Sequence, residues 1–175
     1  MFYRWEGAIQ AKECKAIIDE FKDCDFIDGQ VKEEAYSEMR ATSIQWVDQR
    51  HLLNRSIQSF VLEANSVFFN YNIETFEPMQ FGKYEVGGKY DWHRDAINVT
   101  EVMRKLSGIV QLSASDDYEG GDLEFFNGEQ TPEDLKLRKQ GSVIVFDSRD
   151  WHRITPITKG VRYSLVLWGS GRRFI

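Results

Sequence analysis

After Tyr71 the chain becomes a succession of short β-branched and aromatic runs, each closed by turn residues, with no helical period between them. The runs cover residues 79–84, 89–95, 106–113, 122–126, 142–147 and 161–168. The breaks are Gly87-Gly88, Gly120-Gly121, Asn127-Gly128, Gly141, Thr155-Pro156 and Lys159-Gly160, all suited to tight reversals. Parallel strands need long crossovers, usually helical, so strands this closely spaced must pair antiparallel. The expected fold is mainly β, a sandwich or barrel with flanking helices. Helical periodicity is confined to residues 9–22, with Cys14, Ile17, Ile18 and Phe21 on one stripe, and to residues 52–69, where Leu53, Ile57, Phe60, Val61 and Ala64 recur at three- and four-residue steps. Both helices are expected to pack outside the β unit. The polar stretch 129–140 reads as a surface loop or short helix over one end of it.

A chain of 175 residues suits one domain, here a helical support over about 1–75 and a β unit over about 76–175. Apolar residues make up 42% and charged residues 29%, enough buriable surface to exclude a disordered chain. The net charge of −6 has the wrong sign for gripping phosphate backbones, so nucleic acid is not an expected partner. Two cysteines are too few for a disulfide scaffold, and Cys14 falls on a helical apolar stripe, as a reduced core thiol would. The amino terminus lacks a basic flank followed by an apolar block, and no run of eighteen apolar residues occurs. The expectation is a cytoplasmic protein with no membrane association.

Of the three histidines, two are in informative company. His93 precedes Asp95 by two residues, and on a strand that spacing puts both side chains on one face about 6.6 Å apart along the chain, so that their tips can converge on one ion. His152 lies far downstream, after the apolar run 142–146, where only a roll of antiparallel strands could return it to that pair. Two imidazoles and one carboxylate on one side of a metal leave three positions open, which non-haem Fe(II) oxygenases require. The same ligand number serves catalytic zinc, a competing reading. His51, at the start of the second helix, reads as an exposed or capping residue rather than a ligand.

Arg162 and Ser164 share a face of the last strand with Val166 and Trp168, while Val161, Tyr163, Leu165 and Leu167 make the other face apolar too. A strand buried on both sides leaves the guanidinium in need of an anion. A dicarboxylate cosubstrate supplies one: Arg162 grips the distal carboxylate in bidentate fashion, with Ser164 as a further donor, while the other end chelates the metal. Zinc hydrolysis gives these two residues no task.

The series Tyr84-x-x-Gly87-x-x-Tyr90-x-x-His93-x-Asp95, Tyr118-x-Gly120-Gly121-x-Leu123, Gly141, His152-x-Ile154-x-Pro156 and Gly160-x-Arg162-x-Ser164 resembles the prolyl-4-hydroxylase-like (PKHD-type) branch of the Fe(II)/2-oxoglutarate-dependent oxygenases. It spans residues 80–170. The resemblance implies a double-stranded β-helix, a jelly-roll variant. It implies Fe(II) held by His93, Asp95 and His152, 2-oxoglutarate bound by Arg162, O2 as oxidant and ascorbate as reductant. Tyr84 matches a position whose hydroxyl approaches the cosubstrate, and Tyr90 one that lines the pocket near the iron. Gln111 and Ser113 stand where relatives often carry tyrosine or another polar group and asparagine, so whether Gln111 contacts the cosubstrate is open.

The reaction implied is hydroxylation of a C–H bond in a prolyl or other peptidyl or amino-acid substrate, with release of succinate and CO2. A non-catalytic jelly-roll module that binds peptide or sugar and a nucleobase-directed oxygenase are the alternatives. Segments 25–43, 96–105 and 129–140 would select a substrate, and their mixed charge suits a peptide at least as well as a nucleotide. Oligomeric state is not legible.

Overall fold

The computed structural model describes residues 1–29, 39–96, 101–126 and 137–172. Its strands are β1 (Phe2–Trp5), β2 (Ile27–Asp28), β3 (Arg40–Ala41), β4 (Ser43–Trp46), β5 (Thr75–Phe76), β6 (Gln80–Tyr84), β7 (Lys89–His93), β8 (Val102–Gln111), β9 (Tyr118–Gly120), β10 (Leu123–Phe125), β11 (Val143–Asp147), β12 (His152–Ile154), β13 (Ile157–Gly160) and β14 (Arg162–Arg172). The helices are α1 (Ala11–Phe21) and α2 (Leu52–Ala64). A π-helical turn, Asn65–Phe69, extends α2 and ends at Asn70 in the left-handed region at φ 60°.

Every strand pair is antiparallel. The major sheet runs β1-β11-β8-β14-β6-β4-β2, with β5 on the far part of β14. A smaller sheet runs β10-β12-β7-β3, and β13 pairs with β9. This is the mainly β jelly roll expected from the sequence. The amino-terminal residues do more than supply helices, however. β1 adds to one edge of the major sheet, β4 and β2 to the other, and β3 closes the small sheet. The sequence reading missed them because strands of two to four residues are too short to show alternation.

Alternation along the central strands sets the layering. On β11, Val143 and Val145 face the helices while Ile144 and Phe146 face into the roll. On β14, Leu165 and Leu167 face the helices. Arg162 and Ser164 take the opposite face, buried as expected for a strand covered on both sides. The outer core joins α1, through Cys14, Ile17 and Phe21, and α2, through Ile57, Val61 and Ala64, to the back of the major sheet. Burying Ile57 and Val61 contributes about 1.5–3 kcal/mol each. Gly108 permits the approach of α2, since a β-carbon there would lie 3.0 Å from Val61 Cγ2. Cys14 is a free buried thiol pushed up to about 11 by burial, so it is an inert core residue.

The inner core, including Ile109, Leu123, Phe125, Ile144 and Phe146, fills the closed part of the roll. Of the 129–140 stretch, residues 129–136 lie outside the described residues. Leu137 plugs into the inner core, and Arg138 pins the β9 region through the carbonyls of Tyr118 and Gly120.

Candidate metal centre

β7 and β12 are neighbours in the small sheet, and their register puts His152 directly opposite His93. The pairing then slips, so that Ile154 opposes Tyr90. This bulge places Tyr90 and His93 on one face although they are three residues apart, and their rings stack with centroids 3.4 Å apart and planes inclined by 10°. The expected strand over 89–95 therefore ends two residues early. β7 stops at His93, and Asp95 lies in a bend beyond it. The chain is leaving the small sheet for β8 there, which ends the ladder. Ala96 N–H donates to Ser148 O at 2.8 Å, and Ser107 Oγ–H on β8 donates to Asp95 Oδ2 at 2.7 Å.

Asp95 thus meets the imidazoles from the side. His93 Nε2 lies 3.6 Å from Asp95 Oδ1, and His152 Nε2 lies 3.6 Å from Asp95 Oδ2. One ligand atom from each of these three buried residues lies within 4.8 Å of the others. Both Nδ1 atoms are committed elsewhere, His93 Nδ1 to Asp91 O at 2.7 Å and His152 Nδ1 to Asp150 O at 3.0 Å. A carbonyl only accepts, so each Nδ1 carries the proton and each Nε2 presents a bare lone pair to the centre.

Burial, with the neighbouring His152, holds His93 down at about 4, so it is neutral at pH 7. Burial alone would raise Asp95, but the positive charge that His152 and His93 carry when protonated, together with the Ser107 hydroxyl, outweighs it and holds the carboxyl at about 2. The two Nε2 atoms and the carboxylate thus converge at separations too long for hydrogen bonds. A cation among the three would take a ligand atom from each of them. This donor set fits a divalent ion that accepts nitrogen and oxygen ligands and keeps an open face. Phe146 packs edge-on against His152 with centroids 4.6 Å apart, which fixes that ring.

Arg162 is fully buried on the inner face of β14. Its Nη2 donates to Gln111 Oε1 at 2.8 Å and its Nη1 to Ser164 Oγ at 3.3 Å, while Nε is buried without a partner. The guanidinium carbon lies 5.2 Å from the centroid of Tyr84, its register partner on β6. No carboxylate among the described residues pairs with it. The structure thus gathers Tyr84, Arg162 and Ser164 in one place and adds Gln111, whose contact runs to Arg162 itself. Sequence reasoning missed Ser107 and Ser148. Ser107 lies inside an apolar strand run, Ser148 follows another, and the two hydroxyls are 2.9 Å apart. A serine buried in such a run needs a partner, and that was the available signal.

His51 caps α2, accepting from Leu53 N–H at 3.2 Å, and contacts Glu20 at 2.9 Å, away from the centre. Within the run 116–119, Tyr118 is buried while its acidic neighbours are exposed.

A jelly roll carrying an inward-facing set of two imidazoles and a carboxylate, with a buried arginine that has no carboxylate partner among the described residues, has the donor arrangement that a non-haem iron oxygenase requires. The chain belongs to the 2OG-Fe(II) oxygenase superfamily, whose pattern matches residues 79–170. It is similar to the PKHD-type hydroxylase YbiX of Escherichia coli (strain 55989 / EAEC), 25% identical over 177 residues, covering 96% of this chain and 77% of that protein. Its fold resembles a prolyl-4-hydroxylase of Pseudomonas putida, with a TM-score of 0.77, 23% identity and 98% and 92% of the two chains covered. It also resembles a prolyl hydroxylase of Trichoplax adhaerens in complex with a hypoxia inducible factor oxygen degradation domain peptide fragment, with a TM-score of 0.75, 19% identity and 96% and 82% covered. The protein is an oxygenase that uses Fe(II) and 2-oxoglutarate, and it is similar to PKHD-type hydroxylases. The non-catalytic module is set aside. Among the described residues no helix is long and apolar enough to cross a membrane.

Proposed function

We propose that the protein hydroxylates a C–H bond of a peptidyl substrate, prolyl or similar, converting 2-oxoglutarate to succinate and CO2. The observation that carries this reading is the convergence of three ligand atoms in the same roll as a buried guanidinium with no carboxylate partner among the described residues. In this reading His93, Asp95 and His152 hold Fe(II), which supplies the redox chemistry when bound and activates O2 toward the C–H bond.

The chain's own contribution is placement. Carbonyls of Asp91 and Asp150 fix the tautomers of the imidazoles, so both Nε2 atoms arrive unprotonated. Ser107 holds the Asp95 carboxylate in line. Arg162 receives the distal carboxylate of 2-oxoglutarate through its free donors, Ser164 orients the guanidinium, and Tyr84 lies beneath it. Tyr90 and Phe146 pack against the two imidazoles and hold the rings in place.

A peptide is favoured over a nucleobase by the net charge of −6 and by the peptide held by the Trichoplax relative in fold. Of the substrate-selecting segments, residues 30–38, 97–100 and 129–136 lie outside the described residues.

The test is 2-oxoglutarate binding with Mn(II) as an inert stand-in, followed by succinate release under air with Fe(II) and a proline-containing peptide library. Metal-dependent binding lost in Arg162→Ala, and succinate release stimulated by some peptides, are expected. Metal-loaded protein that neither binds 2-oxoglutarate nor forms succinate with any peptide overturns the reading.

A further inference from the structure

The wall of the centre on the β3 side carries a cation that neither the metal ligands nor the cosubstrate pocket uses. Arg40 is the register partner of Tyr90 in the β3–β7 pair. Its guanidinium carbon lies 4.6 Å from the Tyr90 centroid, and Tyr90 in turn lies 3.4 Å from the ring of His93. Guanidinium, phenol and imidazole form one stack beside the metal centre, held on strands rather than loops.

Among the described residues Arg40 has no counter-ion. Its Nη2 donates to the amide oxygen of Gln80 at 3.3 Å, its Nε is buried with no acceptor, and no carboxylate among the described residues pairs with it. Arg104 supplies the contrast: it also stacks on an aromatic ring, that of Trp168 at 3.8 Å, yet it is neutralised in bidentate fashion by Glu77 at 2.8 and 2.6 Å. Arg104 has its anion built in, whereas Arg40 has none among the described residues. A partly desolvated guanidinium with a buried unmet donor is costly to the free protein and complementary to an incoming carboxylate. The chain as a whole, at −6, repels acidic ligands, so a local cation is what would let one settle here.

We propose that Arg40 receives a carboxylate of the primary substrate, and that the substrate is an acidic peptide. The inference rests on the peptide-hydroxylase reading above. The stack spacings of 4.6 and 3.4 Å are crossed by an extended peptide in about two to three residues, so the carboxylate sits within that distance of the hydroxylated position. It is an Asp or Glu side chain or a terminal carboxylate.

Fluorescence anisotropy with the full chain loaded with Mn(II) and 2-oxoglutarate tests this. The probes are labelled proline-centred pentapeptides: Glu-flanked with an amidated end, Gln-flanked with an amidated end, and Gln-flanked with a free end. The Glu peptide, the free-ended peptide or both should bind about tenfold tighter than the amidated Gln peptide, and which of them does so identifies the source of the carboxylate. The advantage should disappear in Arg40→Gln, survive in part in the charge-keeping Arg40→Lys, and move to Lys-flanked peptides in Arg40→Glu. Equal affinities in the wild-type protein, or a preference unchanged in Arg40→Gln, overturn the proposal. Loss of binding in Arg40→Lys together with a lowered melting temperature assigns Arg40 a structural role and overturns it as well. Wild-type protein that binds 2-oxoglutarate but shows no carboxylate preference refutes this inference alone; protein that binds no 2-oxoglutarate refutes the parent reading and this one with it.

Discussion

His93 and His152, 59 residues apart in sequence, are direct cross-strand partners, with ring centroids 4.2 Å apart. A ladder fixes such a pair far better than a loop could, because slipping by one residue would turn one imidazole to the outer face. The carboxylate is held by different means. Asp95 lies past the end of its strand and depends on Ser107 of the major sheet, so the centre exists only where the two sheets meet.

That dependence predicts a large effect from a small deletion. Ser107→Ala removes one hydroxyl from the Asp95–Ser107–Ser148 chain and should weaken divalent metal binding by about 10–100-fold. Calorimetric titration with Mn(II) measures this, and unchanged affinity would mean that the hydroxyl does not position the carboxylate.

Arg162 should separate stability from function. Replacing it by Met removes a buried guanidinium with an unpartnered Nε, so the cosubstrate-free variant should melt no lower than the wild-type protein. The stabilisation by 2-oxoglutarate, about 2.7 kcal/mol at a hundredfold excess over Kd, should vanish. Melting curves with and without 2-oxoglutarate, in the presence of Mn(II), read both effects. A variant still stabilised by the cosubstrate would place the carboxylate site elsewhere.

His93 gives the metal-free protein an acid limit. Its folded value of about 4 is below the ordinary 6.5, so on acidification the unfolded chain takes up the proton first. The contribution is intact above about 6.5 and is lost as the pH falls toward 4. Between pH 7 and pH 5 the loss amounts to about 2 kcal/mol. Urea unfolding at the two pH values should show this in the wild-type protein and less of it in His93→Gln. Equal pH dependence in both proteins would sink the assignment.

Gly121 is a close-approach position at φ +66°, where a β-carbon would run into Ile157 Cδ1 and come within 3.1 Å of Arg162 Cδ. Gly121→Ala should cost about 1–2 kcal/mol from the left-handed backbone alone. It should also displace Arg162, lowering 2-oxoglutarate affinity while the Mn(II) affinity is kept. Loss of both affinities together would point to general unfolding of the roll.

Much of the fold was legible because its longest elements carry their periods openly. The stripe through Ile57, Val61 and Ala64 announced α2, and the two-sided apolar character of β14 announced a strand covered on both faces, with Arg162 trapped inside. The nature of the site was legible for a similar reason: His-x-Asp, a distant His and an Arg-x-Ser on a buried strand are unusual residue types for such places. Short strands were not legible, since β1 to β4 hold too few residues for alternation to register.

What the sequence determined by itself was therefore the chemistry available and the class of fold able to use it, because residue type and local period are properties of neighbouring positions. Tertiary structure alone decided the His93–His152 register, the bulge that lays Tyr90 on His93, the anchoring of Asp95 by Ser107 and the position of Arg40 at the end of that stack. Each of these joins residues from different strands, and the energies that select them, ladder pairing, ring packing and buried hydrogen bonds, arise only once the sheets have met.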